Sequence, residues 1–200
     1  MGRDAPVATS HRSALGDPGD LRSAVRHLRD LARRPPTPET RAEVALQLHN
    51  KWEGVQSVAA QVLAEWGGRE AVDELRRWLE ELPQQPYSTP LRGIAFRALA
   101  RCVDETDAPW VLDAYFGAEG IKAKHEMRPL VWGLPVDAAR TRLEAECRSA
   151  DRENRRAALK AITWMPFPDK VAMLRRLAED SNPGIRRAAN EWLDHLGKQA

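Results

Sequence analysis

DSNPGIRRAANEWLDHLG, residues 180–197, is the stretch whose reading decides the fold. Asn182 is a strong helix N-cap, and Pro183 suits the first helical position, where a missing N–H costs nothing. Ile185, Ala188, Ala189, Trp192, Leu193 and Leu196 fall on one face at helical spacing, and Gly197 supplies the stop. Further back, Arg155-Arg156-Ala157-Ala158 matches Arg186-Arg187-Ala188-Ala189 at an offset of 31. Leu143 and Leu174 hold equivalent places in the intervening helices, again 31 apart, and Trp132 and Trp164 end equivalent helices 32 apart. Ala59-Ala60 with Trp66 keeps the seven-residue spacing of Ala157 with Trp164, as does Ala95 with Cys102. The period is about 31 to 36 residues, one helix pair per unit, and units of that kind must stack to bury their apolar faces.

The bulk composition agrees. Ala, Leu, Arg and Glu dominate while Tyr, Phe and Thr are scarce, so strands are not expected. Fourteen prolines and twelve glycines fall between apolar-periodic segments and punctuate them. The net charge of +2 gives no mandate for nucleic acid. Cys102 and Cys147, each inside a helical pattern, read as reduced core thiols. No apolar run of signal-peptide or membrane-spanning length occurs, which predicts a soluble, cytoplasmic protein.

Taken in order, residues 1–16 lack periodicity and read as a disordered tail, and residues 17–200 as a single repeat domain. Asp17-Pro18 opens a first helix with Leu21, Val25, Leu28 and Leu31 on its buried face. A second, capped by Thr37, buries Val44, Ala45 and Leu48, and Trp52-Glu53-Gly54 breaks the chain. Helices through Val55–Trp66 and Ala71–Leu82, joined by Gly67-Gly68, form an expected antiparallel pair. Thr89-Pro90 caps a helix through Cys102, and Asp107 the next. Pro129 predicts a kink or early end in the helix Lys122–Trp132. Asp137–Ala150, a helix capped by Asp151, and one through Val171–Ala178 complete the series.

The turn with Asp180, Asn182 and Pro183, then Ile185, Arg186, paired Ala188-Ala189 and Leu193, resembles the first-helix pattern of HEAT repeats, especially short bacterial HEAT-like units. DRENRRAALKAI from Asp151 is a second match, and VQSVAAQVLAEWGG a third that lacks the Arg. The resemblance covers residues 53–197; His125-Glu126 replaces the Ala pair in the most divergent unit. It implies an all-α, right-handed α-solenoid of about five helix pairs plus a C-terminal helix. It also implies a non-catalytic scaffold that binds a protein partner through its concave, second-helix surface.

Equivalent second-helix positions, Arg76, Arg77, Arg175 and Arg176, are the candidate partner contacts. The alternative is a nucleic-acid-binding module using Arg155, Arg156, Arg186 and Arg187, since stacked units bring such side chains into a row. Residues 140–200 carry thirteen basic and nine acidic residues. Equally, one Arg of each pair can bond an acidic cap in the next turn while the other stays solvated. Trp66, Trp132 and Trp164 read as inter-repeat packing. Trp52 either covers the end of a repeat or, if exposed, anchors a partner. Trp110 and Asp113 invite comparison with helical-repeat DNA glycosylases of the alkylation-repair type, but residues 41–139 carry 11 basic against 15 acidic residues, and no motif matches. HEAT-like bilin lyase subunits share the repeat type alone. The five histidines form no metal spacing; neither a phosphate loop nor a nucleophile elbow is present. No cofactor, metal or catalytic residue is expected, and the chain reads as a monomer or weak homo-oligomer.

Overall fold

The computed structural model describes residues 21–83 and 90–198. The expected tail, the opening at Asp17-Pro18 and the Thr89 cap lie outside the described residues. Among the described residues there are twelve α-helices and no strand. They are α1 (Leu21–Ala32), α2 (Pro38–Leu46), α3 (Glu53–Trp66), α4 (Arg69–Glu81), α5 (Pro90–Leu99), α6 (Ala108–Gly117), α7 (Gly120–Glu126), α8 (Arg128–Gly133), α9 (Val136–Glu146), α10 (Arg152–Trp164), α11 (Lys170–Leu177) and α12 (Pro183–Gly197). With α7 and α8 counted as one interrupted helix, the number and order of the helices follow the expected series. The described chain groups into two compact units that meet in sequence between Trp66 and Gly67. The helices flanking Gly67-Gly68 therefore belong to different units.

In the first unit α1 and α2 pack on α3. Thr37 caps α2 in a reciprocal box with Thr40. Leu28, Leu31, Val44, Leu48, Val55, Ala59 and Leu63 form the core, while Leu21 is exposed and Val25 half-buried. His27 Nε2 lies 2.7 Å from Glu43 Oε1 and ties α1 to α2. The break expected through Gly54 ends earlier: Asn50 Oδ1 accepts from the Trp52 N–H at 3.0 Å, and α3 is already helical at Glu53. Trp52 is 42% exposed, with the Lys51 ammonium over its ring.

In the second unit the neighbours alternate along the chain. α4 meets α5; α8 lies against α5, α6 and α10; α9 bridges α6 and α10; and α11 and α12 close the series on α10. The Ala157-Ala158 pair performs its expected task. Both residues are buried, and Tyr115 of α6 comes close enough to donate its hydroxyl to the Ala157 carbonyl at 2.9 Å. Trp164 meets Tyr115 and His125 edge-on, at 5.9 Å for each. A second close approach lies at Gly133, where a Cβ would stand 2.4 Å from the Ala100 carbonyl oxygen.

Pro129 does interrupt its helix: α7 stops at Glu126, and α8 restarts with Pro129 in its first turn. The restart resets the helical phase. Leu130 and Val131 face inward and Trp132 is left 58% exposed, so it does not join Trp164 in inter-repeat packing. Asp107 is also reassigned. It makes no side-chain cap on α6; Asp104 instead caps a single 3-10 turn, Glu105–Asp107. The next helix starts at Val136, its predecessor Pro135 fixing the entry, and ends at Glu146 rather than Ala150.

Candidate functional site

The arginines of the second unit divide into those that join helices and those that face water. Arg69, in the first turn of α4, donates from Nη1 to Asp107 Oδ1 at 2.7 Å. Asp107 is 1% exposed, and it also accepts from the Trp110 indole at 3.0 Å and from the Asp104 N–H at 3.0 Å. Burying a carboxylate is costly unless such donors surround it. Arg142 of α9 reaches Asp113 of α6 at 3.3 Å, and Arg140 of α9 holds Asp169 at the entry to α11. Each pair links one second helix to its counterpart in the following unit. Trp110 and Asp113 are thus engaged in packing and ion pairing.

The first helices have a matching link. Arg155 of α10 forms a bidentate pair with Asp180, Nε to Oδ2 at 2.6 Å and Nη2 to Oδ1 at 3.1 Å. Asp180 also accepts from the Asn182 N–H at 2.7 Å. Arg155, aided by the Asn182 backbone bond and against the opposing effect of burial, holds the Asp180 carboxyl below the usual carboxylate range. The remaining Nη1 of Arg155 donates to the Ser149 and Ala150 carbonyls of its own preceding turn, at 2.9 and 3.1 Å. Arg186 repeats this last arrangement, its Nη1 donating to the Asp180 and Ser181 carbonyls at 2.6 and 2.8 Å. No carboxylate among the described residues pairs with it.

The four residues of the two arginine pairs thus fall into two classes. Arg155 and Arg186 fasten turns, whereas Arg156 and Arg187 are exposed. Arg156 approaches Glu153 only to 3.9 Å. Of the second-helix candidates, Arg76 pairs with Glu80 at 3.0 Å and lies over the Trp110 ring at 4.8 Å; Arg77 pairs with Glu74 at 2.8 Å. Both pairs are exposed and lie within one helix, where such contacts contribute little. Arg175 and Arg176 are exposed at the end of α11, with no carboxylate partner among the described residues.

A groove of about 490 Å³ opens between α10 and α12. Leu159, Ile185, Ala188 and Trp192 supply its apolar wall; Arg152, Arg156 and Lys160 supply its charge. No carboxylate is among its lining residues. Trp192 is 38% exposed, with His195 edge-on at 5.7 Å. Arg152 leans on Glu153 at 2.8 Å, but no carboxylate among the described residues pairs with Lys160. Burial first, and then the Arg156 charge, lower the Lys160 ammonium below the ordinary lysine range. A neighbouring cavity of about 270 Å³ shares Arg156 and Lys160 and adds Ile121 and Lys124. Sequence reasoning missed Lys160. Its signal was available: it lies four residues from Arg156, on the same helix face.

The thiols offer no chemistry beyond filling space. Burial pushes Cys102 up to about 11 and Cys147 up to about 12, far from a thiolate at neutral pH. Among the described residues no cluster of His, Cys, Asp and Glu could hold a metal, and no helix is long and apolar enough to cross a membrane. Residues 141–200 match the family model for HEAT repeats. No curated protein matches the chain.

Proposed function

We propose that this chain, whose residues 141–200 match the model for HEAT repeats, is a non-catalytic scaffold that binds a protein partner through its exposed helix faces. HEAT repeats are generally protein-interaction scaffolds. One observation carries the reading. The buried carboxylates Asp107 and Asp180 are spent on holding helices together, whereas Trp192, Arg175 and Arg176 are left exposed. Buried, fully bonded carboxylates suit fixed architecture, and exposed aromatic and arginine side chains suit recognition. Arg76 on Trp110, with Arg77, Arg175 and Arg176, remains the second-helix contribution to that recognition. The exposed ion pairs of Arg76 and Arg77 leave both available, because they cost little to exchange for a partner's carboxylate.

The nucleic-acid reading needs a row of free cations, and two of its four nominees, Arg155 and Arg186, are occupied by the turns they fasten. The test is capture of partners from native cytosol on the immobilised protein, in parallel with a folded variant carrying Arg76→Glu, Arg175→Glu and Arg176→Glu. A protein retained by the parent and lost by the variant supports the scaffold. Saturable binding of generic duplex, weakening steeply with salt and without a protein partner, would replace it with the nucleic-acid reading.

A further inference from the structure

The groove between α10 and α12 combines three features that need not coincide. Its wall is apolar and includes an exposed tryptophan, its charge is of one sign, and one of its cations lacks a partner. An isolated cation loses hydration in such a wall without gaining a carboxylate, so a ligand carboxylate is favoured there. We propose that this groove is the docking site for one acidic amphipathic helix of a protein partner. Apolar side chains of that helix would rest chiefly on the exposed Trp192, above the floor formed by the buried Leu159 and Ile185, and its carboxylates would meet Arg156 and Lys160. The assignment rests on the scaffold reading and gives its partner a chemistry.

Charge complementarity selects this occupant. Lys160 carries no compensating acid, and the single Glu153 is already shared between Arg152 and Arg156. A basic or neutral helix would leave that surplus unpaired. A duplex would satisfy the cations but would set its phosphates against Leu159, Ile185 and Trp192. Helix-in-groove recognition uses anchors at i, i+3 or i+4, and i+7, and the large, partly exposed Trp192 suits one such contact.

The probe is a synthetic peptide of about 18 residues, five turns at 3.6 residues per turn, with leucines on one face and glutamates beside them. Two peptide controls are a scrambled order of the same residues and a version with lysine for glutamate; the third is a short DNA duplex. Fluorescence anisotropy at physiological salt is expected to show the patterned acidic peptide bound at least about tenfold more tightly than any control. Lys160→Glu and Trp192→Ala should each weaken it by about tenfold or more, with helical circular dichroism unchanged. Trp192→Ala keeps the groove test independent of charge. Equal binding of patterned and scrambled peptides overturns the proposal. So does wild-type affinity in both variants, preference for the duplex, or a Trp192-dependent dimer in sedimentation that fills the groove with a second copy. Failure of the scaffold reading looks different. If a captured partner is lost on reversing the second-helix arginines but not in Lys160→Glu, the scaffold stands and the groove falls. If no protein is captured by any surface, the scaffold falls.

Discussion

Helices α10 and α12 carry the same Arg-Arg-Ala-Ala motif in different surroundings. In α10, Arg155 spans two turns, taking its own carbonyls with one nitrogen and the carboxylate of the next turn with two others. In α12, Arg186 makes the same bonds to its own turn and meets no carboxylate among the described residues. The alanines diverge as well: Ala157 and Ala158 are both buried, but Ala188 is only half-buried. Trp164 has Tyr115 and His125 against it, whereas Trp192 is exposed. One motif therefore serves two ends. In α10 its first arginine joins the next turn's carboxylate, and in α12 it fastens only its own turn.

The largest expected effect removes the link that only α10 has. Asp180→Ala leaves Arg155 without its charge partner and the Asn182 N–H without its acceptor, and should cost about 4 kcal/mol in urea unfolding. A variant losing less than about 1 kcal/mol would reduce the pair to a surface contact. The sign with pH follows from the depressed Asp180 carboxyl. A carboxylate held below its unfolded value contributes stability that is complete above about pH 4 and lost as pH falls through the folded value. The advantage of the parent over Asp180→Asn should therefore shrink on acidification below about pH 4, measured as the gap between urea midpoints.

The tryptophans give the next contrast. Trp164→Ala opens a cavity between α10 and the helices carrying Tyr115 and His125, and should cost about 3 kcal/mol. Trp192→Ala should cost under about 1 kcal/mol, because its ring is already partly in water. Equal losses would make α12 as fully packed as α10. Gly133 tests close approach by a different route. An added methyl meets the Ala100 backbone rather than a flexible side chain, so Gly133→Ala should cost about 2 kcal/mol despite a better helix propensity. A neutral or stabilised variant would place the two helix ends farther apart.

These contrasts also show what the sequence could carry. Period, caps and apolar faces are local, so Asn182, Asp151, Thr37 and the Ala157-Ala158 pair were legible. Trp132 was misread because the 32-residue spacing to Trp164 carries no sign of the restart at Arg128, just upstream of it, which leaves the ring exposed. Asp107 was misread because a carboxylate before a helix normally caps it. Its true partner, Arg69, stands 38 residues away and is invisible to local pattern. The same applies to the groove. Leu159, Lys160, Ile185 and Trp192 each fit an ordinary helix, and only the placement of α10 beside α12 makes them one surface. The candidate arginines were legible as pairs, but which member faces water depends on the turn beside it.

The smallest effect sharpens the comparison most. Arg186→Ala removes two charge-assisted bonds to carbonyls at the start of α12 but no ion pair, so about 1 kcal/mol is expected. A double-mutant cycle with Asp180→Ala should give only a small coupling for Arg186, whose charge acts on Asp180 without contact, and about 2 kcal/mol or more for Arg155. The contrast is informative because both arginines lie near the same aspartate. Arg155 meets its carboxylate, and Arg186 meets its backbone carbonyl, which the Asp180→Ala change leaves in place. A large coupling to Arg186 would mean that its charge acts on Asp180 through space as strongly as Arg155 does by contact. The two copies would then be electrostatically equivalent, and the difference between α10 and α12 would reduce to packing around their tryptophans.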